Sequence, residues 1–273
     1  MTAGRPILCA TDFSTYADRA VELAAALSRS LRAPLTLLHV LEPSAIDAAH
    51  EEAARHALEH QARRVGASRA TCVVASGRAD EAVAARAKSD DVRLVVLGAK
   101  GRSHASAACD AILGSTAERI VRSAKRPVLV VPTAPMGAPS AWVVGVALDP
   151  ISLHALEIAM ELATATDARL SAIHVVPTYD DARVVTRKLD REVSDIAKRR
   201  TTRTPPQTWL LRGRPAEALT SFAADLHGVL VIGTHAPDAI TRSVVGHLAS
   251  SVLRLARTPV LLVPAPCGES APS

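Results

Sequence analysis

The chain states one domain-sized text twice, and this repetition constrains its fold more than any other property. Asp12, His39, Gly98 and Pro127 recur as Asp149, His174, Gly233 and Pro259, at offsets of 137, 135, 135 and 132 residues. The runs around the anchors repeat as well. Leu35-Thr36-Leu37-Leu38-His39-Val40 matches Leu170-Ser171-Ala172-Ile173-His174-Val175, and Pro127-Val128-Leu129-Val130-Val131-Pro132 matches Pro259-Val260-Leu261-Leu262-Val263-Pro264. Solenoid units run about 20–50 residues, so a repeat this long is a whole domain. Two copies are expected, at residues 1–134 and 140–266, joined by a Pro- and Ala-rich stretch over 133–140.

Within copy one, Ile7-Leu8-Cys9-Ala10 is a continuous apolar run, as expected of a parallel strand covered on both faces. Thr15 and Asp18 give an approximate capping box ahead of Ala20, Ala24, Leu27 and Leu31 at helical spacing. The same alternation predicts strands over Leu35–Leu41, Thr71–Ala75, Leu94–Leu97 and Val128–Val131, with helices over Ile46–Val65, Ala79–Lys88 and Ser115–Ala124. Copy two repeats the order from Val143 to Val263. Strands alternating with helices mean right-handed crossovers and a parallel sheet with helices on both faces, an α/β fold in each copy.

Composition removes several function classes. Two Phe, two Tyr and two Trp leave an aliphatic core and too few ring faces for a nucleic-acid stacking platform. The net charge of +5 lies mainly in residues 1–136, which carry 18 basic and 14 acidic side chains, and favours an anionic ligand. The densest basic run, Lys198-Arg199-Arg200 with Arg203 beyond, reads as the end of a helix, where cations meet the negative end of the macrodipole. Cys9, Cys72, Cys109 and Cys267 are scattered, with no Cys-x-x-Cys pair; Cys9 and Cys72 read as small core residues of a reducing compartment. No membrane span and no signal peptide are evident, so a cytoplasmic protein is expected. His50, Glu52, His56 and His60 share a helix, but His-Glu-x-x-His does not occur, and a polar face is expected rather than a zinc site.

Open parallel sheets bind ligands beyond the carboxyl ends of their strands, where the strand order reverses. Asp12 closes the first strand, His39-Val40 the second, and Gly98-Ala99-Lys100-Gly101 follows the fourth; Gly114-Ser115-Thr116 opens a helix. Glycines admit phosphate oxygens to backbone N–H groups, a helix N-terminus adds unpaired donors, and Asp12 suits a ribose hydroxyl. His39 and His174 are expected to position the site or pack beneath it. No Gly-x-Ser-x-Gly elbow, Gly-x4-Gly-Lys-Ser/Thr loop or Ser-Gly-Gly-x-Asp-Ser run occurs, and no dedicated catalytic set is visible.

These marks resemble the universal stress protein family in its tandem two-domain form, over nearly the whole chain. The resemblance implies two doubly wound sheets of five parallel strands, order 3-2-1-4-5, with strands one and four flanking the site. It implies ATP, alone or with Mg2+, as the ligand of members carrying Gly-x2-Gly-x9-Gly-Ser/Thr. By position the family's contacts fall on Asp12, Val40, Gly98, Gly101, Gly114, Ser115 and Thr116, and more weakly on Asp149, Val175, Gly233 and Gly246. Copy one keeps every residue type but has twelve residues between Gly101 and Gly114. Copy two keeps nine, but Ala236 replaces the second glycine and His247 the hydroxyl residue. Copy one is therefore the expected site, since a longer loop is easier to accommodate than lost donors.

The function so implied is a cytoplasmic stress-response protein that binds an adenine nucleotide and uses occupancy to change its contacts with protein partners. The alternatives are a slow ATPase, with Asp12 as its one obvious carboxylate, and a scaffold that binds no nucleotide. The resemblance also implies an intramolecular pseudo-twofold pairing through the last strands, with further homodimerisation left open. Val130→Pro with Leu262→Pro removes ladder donors and is expected to separate the copies. An unchanged compact particle in small-angle scattering would show that pairing to be wrong.

Overall fold

The computed structural model describes residues 4–42, 47–89, 91–101, 113–132, 137–176, 182–200, 206–234 and 247–266. Its contacts divide the chain into two units, Met1–Ala138 and Pro139–Ser273. Unit one runs β1 (Ile7–Ala10), α1 (Thr15–Leu31), β2 (Leu35–Leu41), α2 (Ala48–Arg64), β3 (Thr71–Ser76), α3 (Ala79–Ser89), β4 (Leu94–Gly98), α4 (Ser115–Ser123) and β5 (Val128–Val131). Unit two follows with β6 (Ala141–Gly145), α5 (Pro150–Thr166), β7 (Arg169–Val176), α6 (Ala182–Arg200), β8 (Gln207–Arg212), α7 (Pro215–Asp225), β9 (Val229–Thr234), α8 (His247–Leu255) and β10 (Val260–Pro264).

The strand order is β3-β2-β1-β4-β5 in unit one and β8-β7-β6-β9-β10 in unit two, all neighbours within a unit being parallel. This is the predicted α/β fold with its 3-2-1-4-5 order in each half. β1 lies at the centre because Ile7, Leu8 and Cys9 are apolar to both faces and fully buried. It pairs Ile7 with Leu35 on one side and with Leu94 on the other. The order reverses between β1 and β4, which opens a crevice at their carboxyl ends.

α1 packs by small residues: Ala17, Ala20, Ala24 and Ala25 are buried beside Val21, Leu23 and Leu27. Its cap is one residue earlier than the sequence suggested. Ser14 accepts from the Ala17 amide at 3.2 Å, and Thr15 is the first helical residue. Asp18, freed from capping, accepts from Gln61 Nε2 at 2.6 Å and pairs with Arg64 at 2.8 Å, tying α1 to α2. Among the described residues, Trp142 is the one aromatic side chain in an otherwise mostly aliphatic core. Trp142 on β6 is fully buried, and its indole N–H donates to Thr166 Oγ1 at 3.0 Å, which removes the cost of an unpaired donor.

Several sequence readings find their places here. Burial drives the Cys9 thiol far above its ordinary pKa, so it cannot supply a thiolate. Cys72 is half-buried on β3 rather than in the core, and Cys109 and Cys267 lie outside the described residues. Arg199 and Arg200 close α6 and pair with Glu157 of α5 at 3.7 and 2.8 Å; Arg203 lies outside the described residues. Glu52, His56 and His60 stand exposed on α2, and His50 is held at its start by Asp47, Nδ1 to Oδ1 2.7 Å. Among the described residues no three His, Cys, Asp or Glu side chains converge as metal ligands, and no helix is long and apolar enough to cross a membrane.

Candidate functional site

The crevice of unit one is a cavity of about 950 Å³, at the upper end of the usual range for small-molecule sites. Four chain segments converge on it. The end of β1 brings Thr11 and Asp12, the end of β2 brings His39 and Val40, the β4–α4 connection brings Gly98, Lys100 and Gly101, and α4 brings Gly114, Ser115 and Thr116. All seven residues singled out in copy one line this single space.

Hydrogen bonds fix the walls. The Thr11 amide donates to Leu38 O at 2.9 Å and the Ala99 amide to Val131 O at 2.8 Å, so each strand's pairing continues one residue into its loop. Asp12 Oδ1 accepts from the Ser14 amide at 3.1 Å, which turns the chain from β1 into α1. Phe13 sits between them at φ 60°, and its ring lies 4.5 Å from the His39 ring. His39 Nδ1 is 2.8 Å from Thr11 O. A carbonyl only accepts, so Nδ1 carries the proton and His39 clamps β2 to the end of β1. This matches the expected positioning role. The Gly114 amide donates to Ala99 O at 2.8 Å, drawing the start of α4 against the β4 loop. Gly114 is the N-cap of α4 and brings no side-chain capping bond to the first turn, whose residues Ser115 and Thr116 line the cavity.

The glycines serve different purposes. A Cβ on Gly98 would lie 2.8 Å from Tyr16 C and 3.0 Å from Ala17 N, so residue 98 is glycine because the first turn of α1 rests on it. A Cβ on Gly101 would instead lie 2.8 Å from Asp12 Oδ2, so the second glycine leaves room for the carboxylate. Gly101 is not among the positive-φ glycines, and a left-handed backbone is not the reason for it. The twelve-residue stretch between Gly101 and Gly114 lies outside the described residues except for Leu113.

The sequence reading missed a charged cluster that also borders the cavity. Arg78 and Asp80, at the β3–α3 junction, and Arg119, on α4, also line the cavity. Asp80 Oδ2 lies 3.3 Å from Arg78 Nη2 and 3.2 Å from Arg119 Nε. Burial pulls the Asp80 carboxyl upward. The Arg78 hydrogen bond, its own backbone amide and the charges of Arg119 and Arg78 outweigh this and hold it below the usual carboxylate range. Asp12 is therefore not the only carboxylate at the site, since Glu42 and Asp80 line it too. A signal for this wall was present: Gly77-Arg78 recurs as Gly213-Arg214, both glycines having positive φ, 114° and 122°.

Unit two corrects the register of the repeat. His174 Nδ1 bonds Val146 O at 2.7 Å as His39 bonds Thr11 O, and Leu148 at φ 63° stands where Phe13 does. The counterpart of Asp12 is therefore Ala147, not Asp149. Asp149 takes the place of Ser14: it is the N-cap of α5, accepting from the Ser152 amide at 2.8 Å in a capping box. The sequence offset of 137 at this anchor, two more than at His39, paired two acidic residues with different tasks. Val175 is the penultimate residue of β7 as Val40 is of β2. Gly233 packs as Gly98 does, with a Cβ there 2.9 Å from Ile151 O. Gly246 and Ala236 lie outside the described residues.

The sequence pattern of the universal stress protein family matches residues 4–132 and again 142–264. A universal stress protein of Mycolicibacterium smegmatis is 28% identical over 297 residues, covering 94% of this chain and 96% of its own. One from Mycobacterium tuberculosis is 28% identical over 194 residues, 64% of this chain and 62% of its own. Among solved structures, a universal stress protein from Archaeoglobus fulgidus superposes with a TM-score of 0.76 at 18% identity, over 96% of this chain and 99% of that one. A putative universal stress protein from Pseudomonas aeruginosa gives 0.70 at 20% identity, over 95% and 93%. Two family-length matches in one chain, each on a unit of the family's strand order, establish that this protein belongs to the universal stress protein family in its tandem two-domain form.

Proposed function

We propose that unit one binds an adenine nucleotide, ATP alone or with Mg2+, and that occupancy regulates the contacts of a cytoplasmic stress-response protein with its partners. The observation that carries this reading is the convergence of Asp12, Val40, Gly98, Gly101, Gly114, Ser115 and Thr116 on one cavity at the strand-order reversal. Each has a chemical task there. The Asp12 carboxylate accepts from a ribose hydroxyl, the Val40 backbone borders the base, and Gly98 and Gly101 keep side chains out of the nucleotide's path. The α4 amides with the Ser115 and Thr116 hydroxyls donate to phosphate oxygens, aided by the positive end of the helix. The nucleotide supplies the negative charge that this N-terminus favours. Asp80 is engaged by two guanidiniums and is poorly placed to act as a general base, so turnover is no part of the proposal.

Unit two is proposed as a partner domain without a nucleotide. Ala147 stands where the ribose carboxylate would be needed, and Asp149 is committed to its own helix.

Protein purified natively, then denatured and chromatographed, is expected to release ATP or AMP. Stripped protein is expected to melt at a higher temperature with millimolar ATP, because a ligand at a hundred times its Kd adds about 2.7 kcal/mol. Ser115→Ala with Thr116→Val should weaken binding about 30-fold, two hydrogen bonds being lost at about 1 kcal/mol each. No release and no thermal shift would leave the scaffold without nucleotide as the function.

A further inference from the structure

Besides Lys100 of the β4–α4 connection, the cavity is lined by two arginines that share one carboxylate. Asp80 binds both, and its side chain is only 13% exposed, against 60% for Arg78 and 45% for Arg119. Arg78 Nε also pairs with Glu81 Oε1 at 3.1 Å, so Glu81 balances Arg78 while Asp80, shared between both arginines, holds the Arg119 guanidinium in place on the wall. Arg119 has a second tie, its Nη2 lying 3.4 Å from Thr116 Oγ1. A phosphate oxygen that accepts from the Thr116 hydroxyl can therefore also sit within hydrogen-bond range of Arg119. The guanidinium is planar and its N–H groups diverge, so one edge can stay on Asp80 while another meets the anion. Unit two lacks the device. Ala216 follows Pro215 where Asp80 follows Ala79, and Ser251 is the fifth residue of α8 where Arg119 is the fifth of α4.

We propose that Arg119, presented by Asp80 beside the Thr116 hydroxyl, is the specificity-determining residue that makes this cavity select polyphosphates over nucleosides and monophosphates. The nucleoside part of this assignment rests on the function proposed above; the anion part rests on Arg119, Asp80 and Thr116 alone. Asp80 acts on Arg119 and not on the ligand, which makes it a positioning residue.

The test is calorimetric titration of the full chain with ATP, AMP, adenosine and inorganic tripolyphosphate at one fixed ionic strength. Arg119→Gln is expected to weaken ATP and tripolyphosphate about 10- to 100-fold, the worth of a charge-assisted hydrogen bond. Adenosine should change less than about twofold. Arg119→Lys keeps the charge but not the divergent edge, and should recover part of the loss. Arg122→Gln removes a charge from the same helix, at a residue paired with Glu118 and not lining the cavity, and should change none of the four. If Arg119→Gln weakens adenosine as much as ATP, or weakens neither, Arg119 does not select, and the nucleotide reading survives without it. Tripolyphosphate binding that Arg119→Gln abolishes, with no ATP binding, upholds Arg119 and removes the nucleotide. A wild-type protein that binds neither removes both. Circular dichroism of Arg119→Gln guards against misfolding, and the graded loss in Arg119→Lys supports the assignment independently.

Discussion

Gly98→Ala is expected to destabilise unit one by about 3 kcal/mol, the upper part of the range for overpacking a well-filled site. The added methyl would meet Tyr16 C at 2.8 Å, Tyr16 Cβ at 2.9 Å and Ala17 N at 3.0 Å. Two of these three are backbone atoms, so no rotamer change relieves the clash. Either α1 rises off the end of β4 or β4 sinks, and each movement opens the packing of Ala17, Ala20 and Val21, all at most 2% exposed. Gly233→Ala should act alike in unit two, where the methyl meets Ile151 O at 2.9 Å and Ile151 C at 3.1 Å. The two substitutions report through different probes. Both tryptophans, Trp142 and Trp209, belong to unit two, so their fluorescence follows Gly233→Ala, while Gly98→Ala is read by circular dichroism. The urea midpoint should fall at unchanged m-value. A Gly98→Ala protein that unfolds at the wild-type midpoint would show that α1 does not rest on this glycine.

The same glycine shows how far the chain could be read unaided. Parallel strands buried on both faces are the most legible elements: Leu35–Leu41 and Val128–Val131 match the expected bounds to the residue, each a short, largely apolar run preceded by a proline. Helix ends were less legible, since Ser14, Thr15 and Asp18 all have capping chemistry and only the Ala17 amide decides among them. That Gly98 belongs to the site's rim was legible. That it is glycine because of α1 was not, for the reason lies in a contact with the backbone of Tyr16 and Ala17, which precede Gly98 by 82 and 81 residues. The misassigned Asp149 has a similar origin. Two acidic residues near the same strand end look equivalent until the His39–Thr11 and His174–Val146 bonds set the register. The Arg78–Asp80–Arg119 wall was hardest, because its members come from α4 and the β3–α3 junction, and their convergence is a property of the sheet order alone.

Gly101→Ala is expected to separate binding from stability, in contrast to Gly98→Ala. Its methyl would lie 2.8 Å from Asp12 Oδ2, the end of a rotatable side chain, with Asp12 Cγ already at 3.9 Å. Rotation about the Asp12 side chain relieves the contact at an off-rotamer cost of about 1 kcal/mol or less. The melting curve should therefore fall far less than for Gly98→Ala, by the rotamer cost and the Ser14 amide bond that the turned carboxylate gives up, together about 1–2 kcal/mol. The carboxylate, however, is turned from where it accepts the Ser14 amide and faces the cavity. If that carboxylate holds a ribose hydroxyl, the loss is about 1.5–3 kcal/mol, or a 10- to 100-fold weaker ATP complex. Asp12→Ala should cost a similar amount, because it deletes the group that Gly101→Ala displaces. The double variant then discriminates between two mechanisms. If the methyl acts through Asp12, adding Gly101→Ala to Asp12→Ala changes ATP affinity little further, and the coupling energy nearly equals either single effect. If the methyl instead blocks the phosphate chain directly, the two losses add. Additive losses would mean that Gly101 is glycine for the ligand's sake and that its contact with Asp12 is incidental.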